Sequence, residues 1–378
     1  MATTQAILHG KDTTARGELY SSFELGDKQW KITASDGKRS ASRYSVDAGD
    51  TAALAECLRK AKVRFGLGER ARMHSCYEAG RDGWWLHRWL VEQGIDNIVV
   101  DSASIEVNRR ARRAKNDRLD GDKLLAMLLR WQAGERRLWS VLRAPTMQEE
   151  DARRVERELD RLTRERTAHI NRIGSLLVLH NLRPGRIGGR SWGAWWNAHA
   201  QEVPPALRSE IERELERLAL VKQQVKRIEA IKRTEVANKQ HPLVALLSQL
   251  RSIGTRSAWK LDTELFGWRR FSNRRQLAAS VGLTPTPYDS GGSQIEQGIS
   301  KAGNKRVRSL LVELAWSWLR YQPDSELSRW YQRRFATAGK RMRRVGIVAL
   351  ARRLVIALWR YLQHGEIPAG AQLKPIAA

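Results

Sequence analysis

Two segments near the middle of the chain constrain its fold more than any other feature: EEDARRVERELDRLTRERTAHINRIGSLLVLHNL and PPALRSEIERELERLALVKQQVKRIEAIKR. In the first, Val155, Leu159, Leu162, Ile170, Ile173 and Leu177 recur at helical spacing among dense charges. In the second, Ile211, Leu215, Leu218, Val225 and Ile228 do the same. A narrow apolar stripe on a charged helix needs a second stripe to cover it. Pro184-Gly185 and a Gly/Trp-rich stretch through Trp196 separate the two segments. The pattern predicts an antiparallel helical hairpin or coiled coil with arms of about 45 Å at 1.5 Å rise per residue. A plain helical domain would give the same pattern.

The flanks differ in texture. From Ser21 to Leu142, YSSFELGDKQWKITAS reads as a strand entering a hairpin at Asp36-Gly37, and VRFGL and HSCYEAG as further strands. DGWWLHRWLVEQG reads as a helix, DNIVVDSA as a buried strand, and EVNRRARRAKNDRLDGDKLLAMLLRWQAG as a basic stretch that becomes a helix. Alternating strands and helices imply an α/β sheet domain. From Pro242 onward the chain reads as mainly helical. LLSQLRSIGTRSAWKLDTEL has the shape of a helix-hairpin-helix, whose glycine turn offers backbone N–H groups to a phosphate. Ser252 stands where the first glycine would be, leaving Gly254 alone.

Charge narrows the class of partner. Among 378 residues, 68 Lys and Arg face 41 Asp and Glu, a net charge of +27. A field of that size favours a polyanion. A membrane surface is the alternative, but the most apolar late segment, VGIVALARRLVIALWRYL, is broken by Arg352 and Arg353 and falls short of a clean span of ~20 residues. No apolar h-region opens the sequence, so no export is expected. Cys57 and Cys76 alone do not make a disulfide framework or a cysteine zinc site. The expected location is the bacterial cytoplasm, at the nucleoid. The 15 tryptophans lie mostly in amphipathic helical patterns and read as core.

In so basic a chain, isolated acids stand out. Glu24 sits inside the first strand, where Phe23 and Leu25 face the other side. Glu78 ends a strand near Gly80, and Asp117 and Asp120, three apart, share one helical face. Four converging carboxylates need a divalent cation, and Mg²⁺ takes such oxygen donors. Alternatively, Asp117 and Asp120 only balance Arg112, Arg113, Lys115 and Arg118 on a solvated face. Ser290 in GLTPTPYDSGGSQIEQGISKAGNKRVR is equally open, since a polar turn followed by cations can be a plain solvent loop. DSGG also occurs at the nucleophile of trypsin-like proteases, but these need a two-barrel all-β fold and a His–Asp pair. Here the chain reads as helical. Ser293 and Ser300 are nearby alternatives, with Ser300 read as a helix N-cap.

The ordered set FELGDKQWKI, CYEAG, DNIVVDSASIEVNRRARRAKNDRLDGDKLL and QLAASVGLTPTPYDSGGSQIEQGISKAGNKRVRSLLVELAW, from Tyr20 to Trp318, resembles the DEDD-type transposases of bacterial insertion sequences. The resemblance is to the IS-110 family and, within it, the IS-1111 subgroup. It implies a RuvC-like, RNase H-type N-terminal domain, a coiled-coil insertion for assembly and a mainly helical C-terminal transposase domain. The boundaries expected are a leader at 1–20, the acidic domain at 21–145, the helical arm at 146–238, the serine-containing domain at 239–345 and a C-terminal helix and tail at 346–378. It further implies an element-encoded guide RNA that selects donor and target DNA, and a homo-oligomer, dimeric and then tetrameric in synapsis.

By motif, the resemblance puts the Mg²⁺-binding acidic tetrad on Glu24, Glu78, Asp117 and Asp120 and the nucleophile on Ser290. Glu24 departs from the aspartate that opens the tetrad in many members. Around the serine, Gly291 and Gly292 would permit close approach. Lys301, Lys305, Arg306 and Arg308 would face phosphate, together with the dipole of a helix starting near Ser300. Arg109, Arg110, Arg112, Arg113 and Lys115 are the second expected nucleic-acid contact.

Overall fold

A computed structural model of the protein describes residues 17–105, 117–290 and 293–375. The chain divides into two compact units, Met1–Pro145 and Thr146–Ala378. The first is built on β1 (Glu18–Leu25), β2 (Gln29–Ser35), β3 (Ser42–Asp47), α1 (Thr51–Arg64), β4 (Arg72–Glu78), α2 (Trp85–Glu92), β5 (Asp96–Val100), α3 (Asp117–Gln132) and the short β6 (Val141–Leu142). Its sheet has the order β3-β2-β1-β4-β5-β6. β4 and β5 run parallel to β1, while β2 is antiparallel to both β1 and β3. Alternation along the strands sorts the two faces. Leu19, Phe23, Ile32, Tyr77 and Val99 pack against Leu54, Leu58 and Ala61 of α1. On the opposite face Cys76 and Val100 pack under Leu124, Met127 and Leu128 of α3.

Two local expectations are corrected here. The first long strand breaks at Gly26 and Asp27 into β1 and β2, which pair with each other, and the Asp36-Gly37 turn joins β2 to β3. VRFGL is not a strand. It is the end of α1 and its turn, where Gly66 takes φ +60°, because TAALAECLRKA buries Leu54, Cys57, Leu58 and Ala61 at helical spacing.

The second unit contains α4 (Met147–Val178), α5 (Trp192–His199), α6 (Pro205–Ala237), α7 (Pro242–Ser248), α8 (Thr255–Leu261), α9 (Arg274–Ser280), β7 (Pro285–Ser290), β8 (Ser293–Ile299), α10 (Lys305–Tyr321), α11 (Glu326–Phe335) and α12 (Lys340–His364). Thr146 and Glu149 form a reciprocal capping box that starts α4. α4 and α6 pair with each other inside one chain. Glu156 meets Lys232, His169 meets Glu214 and Arg172 meets Glu210, so numbers rise on one arm as they fall on the other. Leu159 and Leu162 close on Val221 and Val225, while Ile173 and Leu177 close on Ile211 and Leu218 with Trp192 and Trp196. The apolar stripes are thus covered without a second subunit.

Lys232 and Glu156, 6% and 1% exposed, form a salt bridge between the arms. Burial pushes the Glu156 carboxyl up and the Lys232 amine down from their usual ranges, and each partner's charge opposes the shift. We expect Lys232→Met to cost about 3–5 kcal/mol, because it strands a buried carboxylate. The double variant Glu156→Leu/Lys232→Met should recover most of that loss. Urea melts of the two proteins check the prediction.

The remaining helices, α7 to α12, share one core around Leu247, Leu265, Leu311, Trp318, Leu350 and Leu354. Among the described residues, no helix is long and apolar enough to cross a membrane.

Candidate functional site

The acidic residues are brought together by strand register. Phe23 of β1 is paired with Tyr77 of parallel β4, so Glu24 and Glu78 stand side by side where those strands end. They follow the alternation of Ser22 and Cys76, whose face is covered by α3. The Ser22 hydroxyl donates to the Gly121 carbonyl at 2.8 Å, Cys76 meets the Leu124 carbonyl, and Gln132 reaches His74. α3 therefore runs antiparallel to β4. Its first turn, Asp117 to Asp120, lies toward the same strand ends. Gly121 makes the close approach possible, since a Cβ there would collide with Thr33 Oγ1.

Glu78 is exposed, Glu24 and Asp120 are half-buried, and Glu24 Oε2 is shielded from solvent. The neighbouring Asp122 is committed elsewhere, accepting two bonds from Arg43 Nη2 at 2.7 and 2.6 Å. Among the described residues no three Asp, Glu, His or Cys side chains are grouped closely enough to hold a metal. The Asp117 side chain lies outside the described residues. The donor chemistry, all carboxylate oxygen, is the kind that Mg²⁺ takes. Arg109, Arg110, Arg112, Arg113 and Lys115 also lie outside the described residues.

Ser290 is not in a helical stretch. It ends β7, paired with Ser293 of β8, in a two-stranded antiparallel hairpin with Tyr288 opposite Ile295. Gly291 and Gly292, which separate the two serines in sequence, and the Ser290 side chain lie outside the described residues. Nor is Ser300 a helix cap. α10 starts at Lys305, and Asn304 is its N-cap, with its side-chain oxygen accepting from the Arg306 and Val307 amides. Ser300 instead closes the base of the hairpin by donating its amide to the Thr284 carbonyl. The chain then folds back tightly on Ser280 to Thr284. A Cβ on Gly282 or Gly303, both at positive φ, would strike the backbone oxygen of Ala302 or Ser280.

The four cations after the hairpin separate into two pairs. Lys301, at φ +56°, and Lys305 are exposed. Arg308 Nη1 instead donates to the carbonyls of Val281 and Ala302, both at 3.1 Å. Arg306 Nη1 lies 3.1 Å from Asp160, which also takes Lys260 Nζ at 2.6 Å. These last groups line a cavity of about 420 Å³ with Thr163, Arg164 and Arg256. Arg306 and Arg308 therefore hold the loop, and Lys301 and Lys305 face solvent.

Sequence reasoning missed the group behind this loop. Glu264, 1% exposed, sits in a π-helical turn, Asp262–Phe266. Arg157 of α4 donates to it from Nε at 2.8 Å and Nη2 at 3.2 Å, and Asn304 Nδ2 donates at 3.0 Å. Burial alone would raise the Glu264 pKa, but the hydrogen bonds and charge of Arg157 outweigh it and hold the carboxyl below its usual range. The available signals were an acid inside the apolar run KLDTELFGW and an Asn directly before a basic helix. The turn expected to offer N–H groups to phosphate joins α7 to α8, with Gly254 as the N-cap of α8.

The family model described as Transposase IS116/IS110/IS902 family matches residues 244–332, the stretch from α7 to α11. Across 95% of both chains the sequence is 40% identical to y4rJ of Sinorhizobium fredii, a protein named as a transposase. It is also 25% identical, over 78% of each chain, to the transposase for insertion sequence element IS1111A of Coxiella burnetii. With the first similarity spanning both units, the chain belongs to the IS116/IS110/IS902 family of transposases.

Proposed function

We propose that this transposase cuts and rejoins DNA through a covalent phosphoserine at Ser290, with Glu24, Glu78, Asp117 and Asp120 holding Mg²⁺. The observation that carries the reading is the side-by-side placement of Glu24 and Glu78 at the ends of parallel strands, toward the first turn of α3. The sheet order, with β2 alone reversed among β1 to β5, supports an RNase H-type domain. In the exchange, Ser290 Oγ bonds to phosphorus as the bond to the leaving sugar oxygen breaks, and the hydroxyl proton ends on that sugar oxygen. An incoming sugar hydroxyl reverses the step on the other DNA, so bond energy is kept for rejoining. Lys301 and Lys305 stabilise charge on the phosphate. Mg²⁺, when bound, would supply Lewis-acid stabilisation of the reacting oxygens.

Site choice belongs, in this reading, to a structured RNA encoded by the element that pairs with donor and target DNA. The working form is a homo-oligomer in the bacterial cytoplasm, dimeric and tetrameric in synapsis. Purification from cells carrying the whole element should yield one abundant, structured RNA from the element's own end. RNA sequencing of the bound fraction checks this, and a bulk-cell RNA profile would sink the guide assignment. For the chemistry, protein incubated with labelled DNA and Mg²⁺ should give a covalent band on a denaturing gel. DNA cut without such a band would favour a metal-dependent junction nuclease.

A further inference from the structure

α11 and α12 are joined by only four residues, Ala336 to Gly339, and form a helix-turn-helix. Their packing is close. A Cβ on Gly346 would strike the Phe335 ring, Arg353 lies 4.1 Å over Trp330, and the Tyr331 hydroxyl donates to the Arg343 carbonyl. From Ile347 onward α12 is fixed in the core through Leu350, Leu354 and Leu358. Before that point every residue from Gly339 to Val345 is exposed, so the first turns of the helix stand largely clear of the core.

The composition of this projection is one-sided. It carries Lys340, Arg341, Arg343 and Arg344, and Met342 and Val345 are 47% and 45% exposed. Between Glu326 and Glu366 the sequence has ten Lys or Arg and no Asp or Glu. Glu326 itself is taken by Arg329 and Arg333. The positive end of the helix dipole adds to the field. A partner for this element must be anionic, must accommodate a helix, and must offer some apolar surface.

We propose that the first turns of α12 enter the major groove of duplex DNA. Lys340, Arg341, Arg343 and Arg344 would then lie against phosphates and base edges, with Met342 and Val345 covered by the groove. The seven exposed residues reach about 10 Å, and the B-form major groove is about 12 Å wide and 8.5 Å deep. The major groove of A-form RNA is too narrow for side chains to read. The second helix of a helix-turn-helix docks in this way, through its N-terminal residues. The segment lies beyond the family match at 244–332. The proposal rests on the recombinase reading only in taking DNA as the substrate.

The test therefore avoids the chemistry. Ser290→Ala protein in EDTA would be titrated with a duplex DNA and an RNA duplex of matching sequence across a range of salt. The same titrations follow for a protein that also carries Lys340→Gln, Arg341→Gln, Arg343→Gln and Arg344→Gln. The quadruple change should lower the DNA log–log salt slope by about 2 to 4 and weaken DNA binding by on the order of tenfold or more. RNA binding should hold within about twofold. An unchanged DNA slope, or equal losses on DNA and RNA, would overturn the assignment. Should the quadruple variant melt early, Arg341→Gln and Arg344→Gln singly carry the same comparison at smaller size. A missing covalent band in the exchange assay would leave this binding result standing, which keeps the two readings separable.

Discussion

Ser290→Ala is expected to bind DNA and RNA as the unaltered protein does and to lose all strand exchange. A single hydroxyl contributes only about 1 kcal/mol to ground-state affinity, whereas a methyl group has no oxygen with which to form the ester. Ser290→Cys should keep a trace of exchange, because a thiolate is also nucleophilic. The measurement is peptide mapping of the protein–DNA band after denaturing electrophoresis. An adduct on Ser293, paired directly with Ser290 across the hairpin, on Ser300 or on Tyr288 would keep the hairpin as the reactive element and move the nucleophile. Full exchange by Ser290→Ala would end the covalent-serine reading.

Loss of similar size is expected from Asp117→Asn and from Asp120→Asn. Each removes charge from the first turn of α3, at the end of the sheet where Glu24 and Glu78 stop. Partners one shell removed from a metal are worth about 10–100-fold, so a direct ligand should cost at least about a hundredfold in exchange rate. A second readout separates metal binding from folding. Mg²⁺ should raise the melting temperature of the unaltered protein and leave that of each variant unmoved. Without metal the variants should melt at the same temperature or slightly higher, since removing one of several like charges relieves repulsion. Equal Mg²⁺ stabilisation in both variants would remove Asp117 and Asp120 from the proposed ligand set.

How much of this could be read in the sequence depended on range. The arms α4 and α6 were legible because a period sustained over about thirty residues leaves one covering solution. α1 was not, since its short apolar positions sit next to VRFGL, which imitates a strand. The hairpin of β7 and β8 carried its own mark, two glycines between extended runs. Pro285 and Pro287 obscured it, because proline usually argues against a strand except at an edge, which is where this two-stranded ladder puts them. The acids could be picked out singly. Their placement toward one end of the sheet depends on the Phe23–Tyr77 register and the antiparallel run of α3, neither of which is local. The Arg157–Glu264–Asn304 group joins residues up to 147 positions apart (304 − 157), and nothing in the local pattern links them.

That same group anchors the long arm. Arg157 lies near the root of α4, far along the helix from the end where it turns back toward α6. Glu264 grips Arg157 on one side and Asn304 on the other, and Asn304 holds the first amides of α10. The root of the arm is therefore tied, through two hydrogen-bonded joints on one buried carboxylate, to the residue that caps the helix after the serine hairpin.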